Sequence, residues 1–111
     1  MTPQHNNLAA GRFFTLTLAE QLGNVGSEVE RAISWHERGQ KEYFEKAFAR
    51  MLELLDLTLS DPRWKFQRLR ELARVREVIC DSFEGAKEYG VPFSYWKKYF
   101  FDFALLARAG R

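Results

Sequence analysis

The sequence predicts an all-α protein, a four-helix bundle of up-down-up-down antiparallel order. Three observations predict it. Apolar residues recur every three or four positions in successive stretches of similar length, which at about 100° per residue places each set on one helix face. Short links carrying Gly or Pro separate those stretches, and short links favour antiparallel neighbours. No alternating strand pattern, internal repeat or low-complexity tract interrupts them.

Residues 1–11 hold Pro3, Gln4, His5, Asn6, Asn7 and Gly11 and read as a loose leader to a single bundle domain over 12–111. The first helix is expected from about Phe13 to about Glu37, with Phe14, Leu18, Leu22, Val25, Val29, Ala32 and Ile33 forming its stripe. Gly23 and Gly26 interrupt it, each at a cost of roughly 1 kcal/mol against Ala. Close approach of a neighbouring helix at Gly26 would offset that cost. Gly39 stands where a helix C-terminal cap prefers glycine. The second helix spans about Lys41 to Leu59, with Tyr43, Phe44, Ala47, Phe48, Met51, Leu54, Leu55 and Thr58 on one face. Asp61-Pro62 then suits an N-cap followed by a first helical residue with no N–H to satisfy. That starts a third helix at Pro62, running to about Phe83, with Leu69, Leu72, Val75, Ile79 and Phe83 inward. Gly90 and Pro92 mark a connection to a fourth helix, about Phe93 to Ala109, with Trp96, Tyr99, Phe100, Phe103, Leu106 and Ala107 facing the core.

Composition narrows the functional classes. With 111 residues, 46% of them hydrophobic and 15% aromatic, the chain can bury a core without staples. The net charge is only +2, so nucleic-acid binding does not follow from the total and needs local clustering. Cys80 is the single cysteine, which excludes an intramolecular disulfide and a four-cysteine zinc site; a small buried hydrophobe is the expected role. The N-terminal ten residues do not read as a signal peptide, and no stretch approaches the roughly 20 apolar residues that span a bilayer. A cytoplasmic protein with no membrane association is expected.

Several chemistries lack their residues. Gly23-Asn24-Val25-Gly26 lies inside a helical pattern rather than a strand-loop-helix phosphate site. No serine stands out as a hydrolase nucleophile. A di-iron bundle needs Glu-x-x-His pairs, yet His5 and His36 are the only histidines and Ile33 precedes His36 by three. No metal and no cofactor are expected, and no catalytic residue is assigned.

Arg31 and His36, separated by four residues, have the spacing of the motif of HEPN-type helical ribonucleases, and a basic residue beside an imidazole suits phosphodiester cleavage. The chain departs from that pattern. Ala32 follows Arg31, the pair lies on the first helix rather than late in the chain, and the two side chains project roughly 140° apart. Arg31 and His36 are therefore only weak catalytic candidates.

Within fourteen residues the third helix carries Arg63, Lys65, Arg68, Arg70, Arg74 and Arg76 against Glu71 alone, with Glu77 and Asp81 following. Cations near a helix N-terminus oppose the macrodipole, and a bound anion would offset that, as would Glu53 or Asp56 on a neighbouring helix. Arg63, Lys65, Arg70 and Arg74 are thus the candidates for anion or nucleic-acid binding, while Arg76 is expected to pair inward with a carboxylate such as Glu28. Gln21, Asn24, Glu28 and Arg31 follow one side of the first helix as a polar strip or an inter-helix network. On the last helix, Phe101 and Leu105 lie opposite the core set, with Tyr95 and Lys98 at their margins. A helix apolar on two sides covers a partner or is buried twice, so Tyr95, Lys98, Phe101 and Leu105 are the interface candidates.

Gly23-Asn24-Val25-Gly26-Ser27-Glu28-Val29, Leu52-Glu53-Leu54-Leu55-Asp56-Leu57-Thr58, Asp61-Pro62-Arg63-Trp64, Arg74-Val75-Arg76-Glu77 and Phe103-Ala104-Leu105-Leu106-Ala107-Arg108 together resemble a family of short all-helical prokaryotic proteins. The resemblance covers nearly the whole chain and implies a compact helical domain. It brings no activity and no catalytic residues with it.

The function expected from the sequence is that of a non-enzymatic interaction protein, self-associating as a homodimer through its last helix and open to a further protein partner. An alternative is a bundle that binds RNA or DNA through its basic third helix, and another is an RNA-cleaving enzyme using Arg31 and His36.

Overall fold

The computed structural model of the chain describes residues 7–109. Five helices occur among them, α1 Asn7–Phe13, α2 Leu18–Glu37, α3 Lys41–Ser60, α4 Phe66–Phe83 and α5 Phe93–Ala109, with no strand. The protein is all-helical, with one helix more than the periodicity predicts. Of the segment read as a loose leader, residues 1–6 lie outside the described residues, and α1 starts at Asn7. The expected first helix, about Phe13 to Glu37, starts instead at Leu18 because Thr17 and Glu20 form a capping box. The Glu20 amide donates to Thr17 Oγ1 at 3.1 Å, and the Thr17 amide donates to Glu20 Oε1 at 2.9 Å. That reciprocal pair satisfies two otherwise orphaned N–H groups and fixes the start of α2.

Gly39 ends α2 as its position suggests. It takes φ +70°, its N–H bonds to His36 O and the Gln40 N–H reaches Trp35 O, the paired bonds of a Schellman motif.

The start of α4 differs from expectation. Asp61 does not cap that helix; it closes α3, and α4 begins four residues after Pro62, at Phe66. The carboxylate of Asp61 is turned into the interior, where Gln21 and Arg63 occupy its oxygens, so neither is left to cap α4. Lys65 stands at the N-cap without a side-chain bond, and Phe66 starts the helix at φ +56° with its ring in solvent.

The core is built on α2. Leu22, Val25, Val29, Ala32 and Ile33 are almost fully covered, by Met51, Leu54 and Leu55 of α3, Leu72, Ile79 and Phe83 of α4, and Trp96 and Phe100 of α5. The heaviest packing of α2 is with α3 and α5, whereas α4 touches α3 more lightly. Three residues assigned to apolar faces by spacing are exposed: Tyr43 on α3, Leu69 on α4 and, at 60% exposure, Leu106 on α5. All three lie in the first or last turn of their helix.

The close approach expected at Gly26 is present. A Cβ placed there would stand 2.6 Å from Phe100 Cβ, while one at Gly23 would meet only Ala104 Cα, at 3.8 Å. Gly26→Ala therefore forces α2 and α5 apart. It is expected to destabilise by about 1–3 kcal/mol despite the helix propensity gained. Gly23→Ala, with ordinary contact, is expected to stabilise by up to about 1 kcal/mol. Urea unfolding of the two variants checks this, and equal effects at both positions would contradict the packing account.

Candidate functional site

The cationic candidates at the start of α4 do not form one cluster. Arg63 belongs to a buried junction between the turn before α2 and the turn after α3. Its Nη2 donates to Asp61 Oδ2 at 2.7 Å and to Leu16 O at 2.6 Å, its Nε donates to Asp61 Oδ1 at 3.1 Å, and its amide donates to the same oxygen at 3.0 Å. Gln21 completes the junction. Its Nε2 donates to Asp61 Oδ2 at 2.8 Å and to Phe13 O at 3.1 Å, and its Oε1 accepts from Trp64 Nε1 at 2.8 Å. The Arg63 guanidinium also lies 4.6 Å from the Trp64 ring centre, within cation–π range. The turn before α2, α2 itself and the turn after α3 are tied together here.

Lys65, Arg70 and Arg74 are exposed. Arg74 lies over the Tyr89 ring at 5.1 Å, and the Tyr89 hydroxyl donates to Glu77. A shallow groove along this face of α4 is lined by Gln67, Arg70, Glu71, Ala73, Arg74 and Glu77, two carboxylates against two guanidiniums. Arg76 pairs with Asp56 of α3 at 2.7 Å, not with Glu28. Of the basic run, Arg63 pairs with Asp61 and Arg76 with Asp56, while Arg68 and Arg74 lie over the Trp64 and Tyr89 rings.

Arg31 and His36 are not brought together. Arg31 Nη1 pairs with Glu28 at 2.6 Å, whereas the His36 ring meets Phe44, Phe83 and Phe93 edge-on, with centroids 5.2, 6.1 and 5.4 Å away. The ring is a packing element where α2, α3, α4 and α5 meet. The polar strip of α2 also divides. Gln21 enters the buried junction, Asn24 bonds to Glu20 O in its own helix, and Glu28 and Arg31 pair with each other. Cys80 is half-buried, and burial pushes its thiol pKa up, away from the reactive thiolate. Among the described residues, no group of three or more His, Cys, Asp or Glu could hold a metal ion, and no helix is long and apolar enough to cross a membrane.

The largest apolar exposure gathers on α5. The start of that helix is held firmly: the Asp81 carboxylate accepts the Glu88 and Tyr89 amides at 3.0 Å each, Ser82 Oγ donates to Val91 O at 2.7 Å, and Trp96 Nε1 donates to Ser82 Oγ at 2.8 Å. Trp96 and Phe100 are then buried against α2, and the far side of the helix faces solvent. Phe101 is 56% exposed and Leu105 45%. Tyr95 is exposed beside them, and Lys98 pairs with Asp102 at 3.0 Å on the same side. Leu106, assigned inward by its spacing, is exposed as well, on a side of the helix about 140° from Phe101. The periodicity gave no sign of that, because a position at the edge of an apolar stripe is covered only where a neighbouring helix extends to it.

The buried junction has a pH signature. Hydrogen bonds from the Arg63 side chain, joined by the Arg63 amide and Gln21, hold Asp61 at about 2, below its ordinary 3.8, against the opposing effect of burial. A carboxylate with a depressed folded-state pKa contributes stability above its unfolded value and loses it as pH falls toward the folded value. Asp61→Asn is expected to cost about 2 kcal/mol at neutral pH. That deficit should shrink between about pH 4 and pH 2, as read by denaturant unfolding at each pH. A deficit independent of pH would contradict the charge-assisted junction.

Comparison with protein-family models, with curated proteins and with solved structures finds no match to this chain.

Proposed function

We propose that the chain is a non-enzymatic interaction protein that forms a homodimer through the outer face of α5, with α2 to α5 acting as an up-down-up-down four-helix body and α1 appended to it. The observation that carries this reading is the pairing, on one helix, of an inner side closed by Trp96 and Phe100 with an outer side that leaves Phe101 and Leu105 in solvent. Two apolar side chains one turn apart, both exposed on one face, are the kind of surface an association site uses. Helix order is supported by the contacts at the two ends: His36 near the end of α2 meets Phe44 near the start of α3, Phe83 at the end of α4 and Phe93 at the start of α5, while Gln21 near the start of α2 reaches Asp61 at the end of α3.

A two-fold dimer buries the same patch on both copies. Lys98 and Asp102, at the margin of the apolar residues and one turn apart, can exchange partners across such an axis with no charge left over. Light scattering is expected to give twice the chain mass for the wild type and the single mass for Phe101→Glu combined with Leu105→Glu, with circular dichroism unchanged. A monomeric wild type, or a double variant that still dimerises, would remove the reading.

A further inference from the structure

The first turns of α4 stand in the open. Every residue from 65 to 71 is exposed, because α4 packs on α3 only lightly and reaches the core farther along, through Leu72, Ile79 and Phe83. A helix that contributes to a core keeps its apolar side chains on the covered side, yet here a second apolar set falls elsewhere. Phe66, Leu69 and Ala73 are spaced by three and four and so form one stripe, with all three in solvent. Phe66 is 84% exposed, more than any other large apolar residue described. Its φ of +56° is a conformation costly to an aromatic residue. A strained backbone therefore carries a ring that lies outside the core.

Cations border the stripe. Between residues 65 and 74, Lys65, Arg68, Arg70 and Arg74 stand against Glu71, and among the described residues none of the four is in an ion pair. Lys65 and Arg70 are exposed. Arg68 and Arg74 lie over the Trp64 and Tyr89 rings at 5.7 and 5.1 Å, contacts that orient a guanidinium without neutralising it. Glu77, a turn beyond Ala73, accepts the Tyr89 hydroxyl. Counted from Phe66, Arg70 and Arg74 project about 40° and 80° to one side and Leu69 about 60° to the other. One outward surface thus carries an apolar crest with a basic flank.

We propose that this surface of α4 docks on an anionic lipid membrane, Phe66 and Leu69 entering the boundary between headgroups and acyl chains while Lys65, Arg68, Arg70 and Arg74 meet the lipid phosphates. Lys and Arg beside Phe and Leu on an exposed helix are the chemistry of a helix that lies in such an interface, and the charge has the sign that an anionic leaflet attracts. Docking of this kind needs no spanning length, so it is compatible with the lack of a membrane-crossing helix among the described residues. A nucleic acid would answer the cations but leave Leu69 in water, since an aliphatic side chain has no ring to stack on a base. The surface shares no residue with the outer face of α5 and goes beyond the dimer reading.

The test uses the full chain and co-sedimentation with phosphatidylcholine vesicles, with and without phosphatidylserine, over a salt series. Binding to the anionic vesicles is expected at low salt and should fall as salt rises, with little binding to phosphatidylcholine alone. Arg70→Gln should weaken it about fivefold, which corresponds to the contribution of about 1 kcal/mol from one basic residue near an anionic surface. Phe66→Gly should weaken it about tenfold or more, the low end for burying one Phe side chain. Its circular dichroism should remain that of the wild type, because glycine accepts the positive φ. Phe66→Trp should retain binding, and Lys46→Gln, on α3, should leave it unchanged. No binding to the anionic vesicles at low salt, whether or not RNA or DNA is bound instead, would overturn the proposal, as would equal binding to both kinds of vesicle or indifference to Phe66→Gly.

Discussion

The absence of a side chain at Gly26 is the constraint from which much of the fold follows. Phe100 stands in the space a Cβ would occupy, so α5 lies against the backbone of α2 at a distance that no other residue at position 26 permits. That approach closes the inner side of α5 over Val25 and Val29 and turns Trp96 toward Ser82. Because a helix is rigid on this scale, closing one side decides what the other side shows. Phe101 and Leu105 face outward as a geometric consequence of where Phe100 is seated.

A second constraint operates at the opposite end of the chain's turns. Asp61 is fully buried as a carboxylate, which is costly unless its oxygens are occupied. Gln21, Arg63 and the Arg63 amide occupy them, and Leu16, Phe13 and Trp64 take the remaining groups. The two turns are thereby joined through polar atoms, not by apolar contact alone. The same junction explains why Arg63, which looks from its neighbours in the sequence like part of a basic ligand-binding run, is committed to structure. Its charge is matched by a residue only two positions away, and that residue is held in place by α2.

Much of the helical architecture was legible, and the reasons for the failures are physical. Gly39 and Gly26 were readable because a helix cap and a close crossing each impose a local requirement that glycine meets. The start of α2 was readable too, since Thr17 and Glu20 have the spacing of a capping box, a signal outweighed by the apolar stripe continuing back through Phe14. Asp61-Pro62 misled because the competing partner, Gln21, lies forty residues away, and periodicity carries no information at that range. Leu69 and Leu106 misled for a different reason. Spacing identifies which way a side chain points, but coverage depends on how far the neighbouring helix extends, and α4 packs too lightly to cover either. On the surfaces, the outer α5 residues were visible as a second apolar stripe.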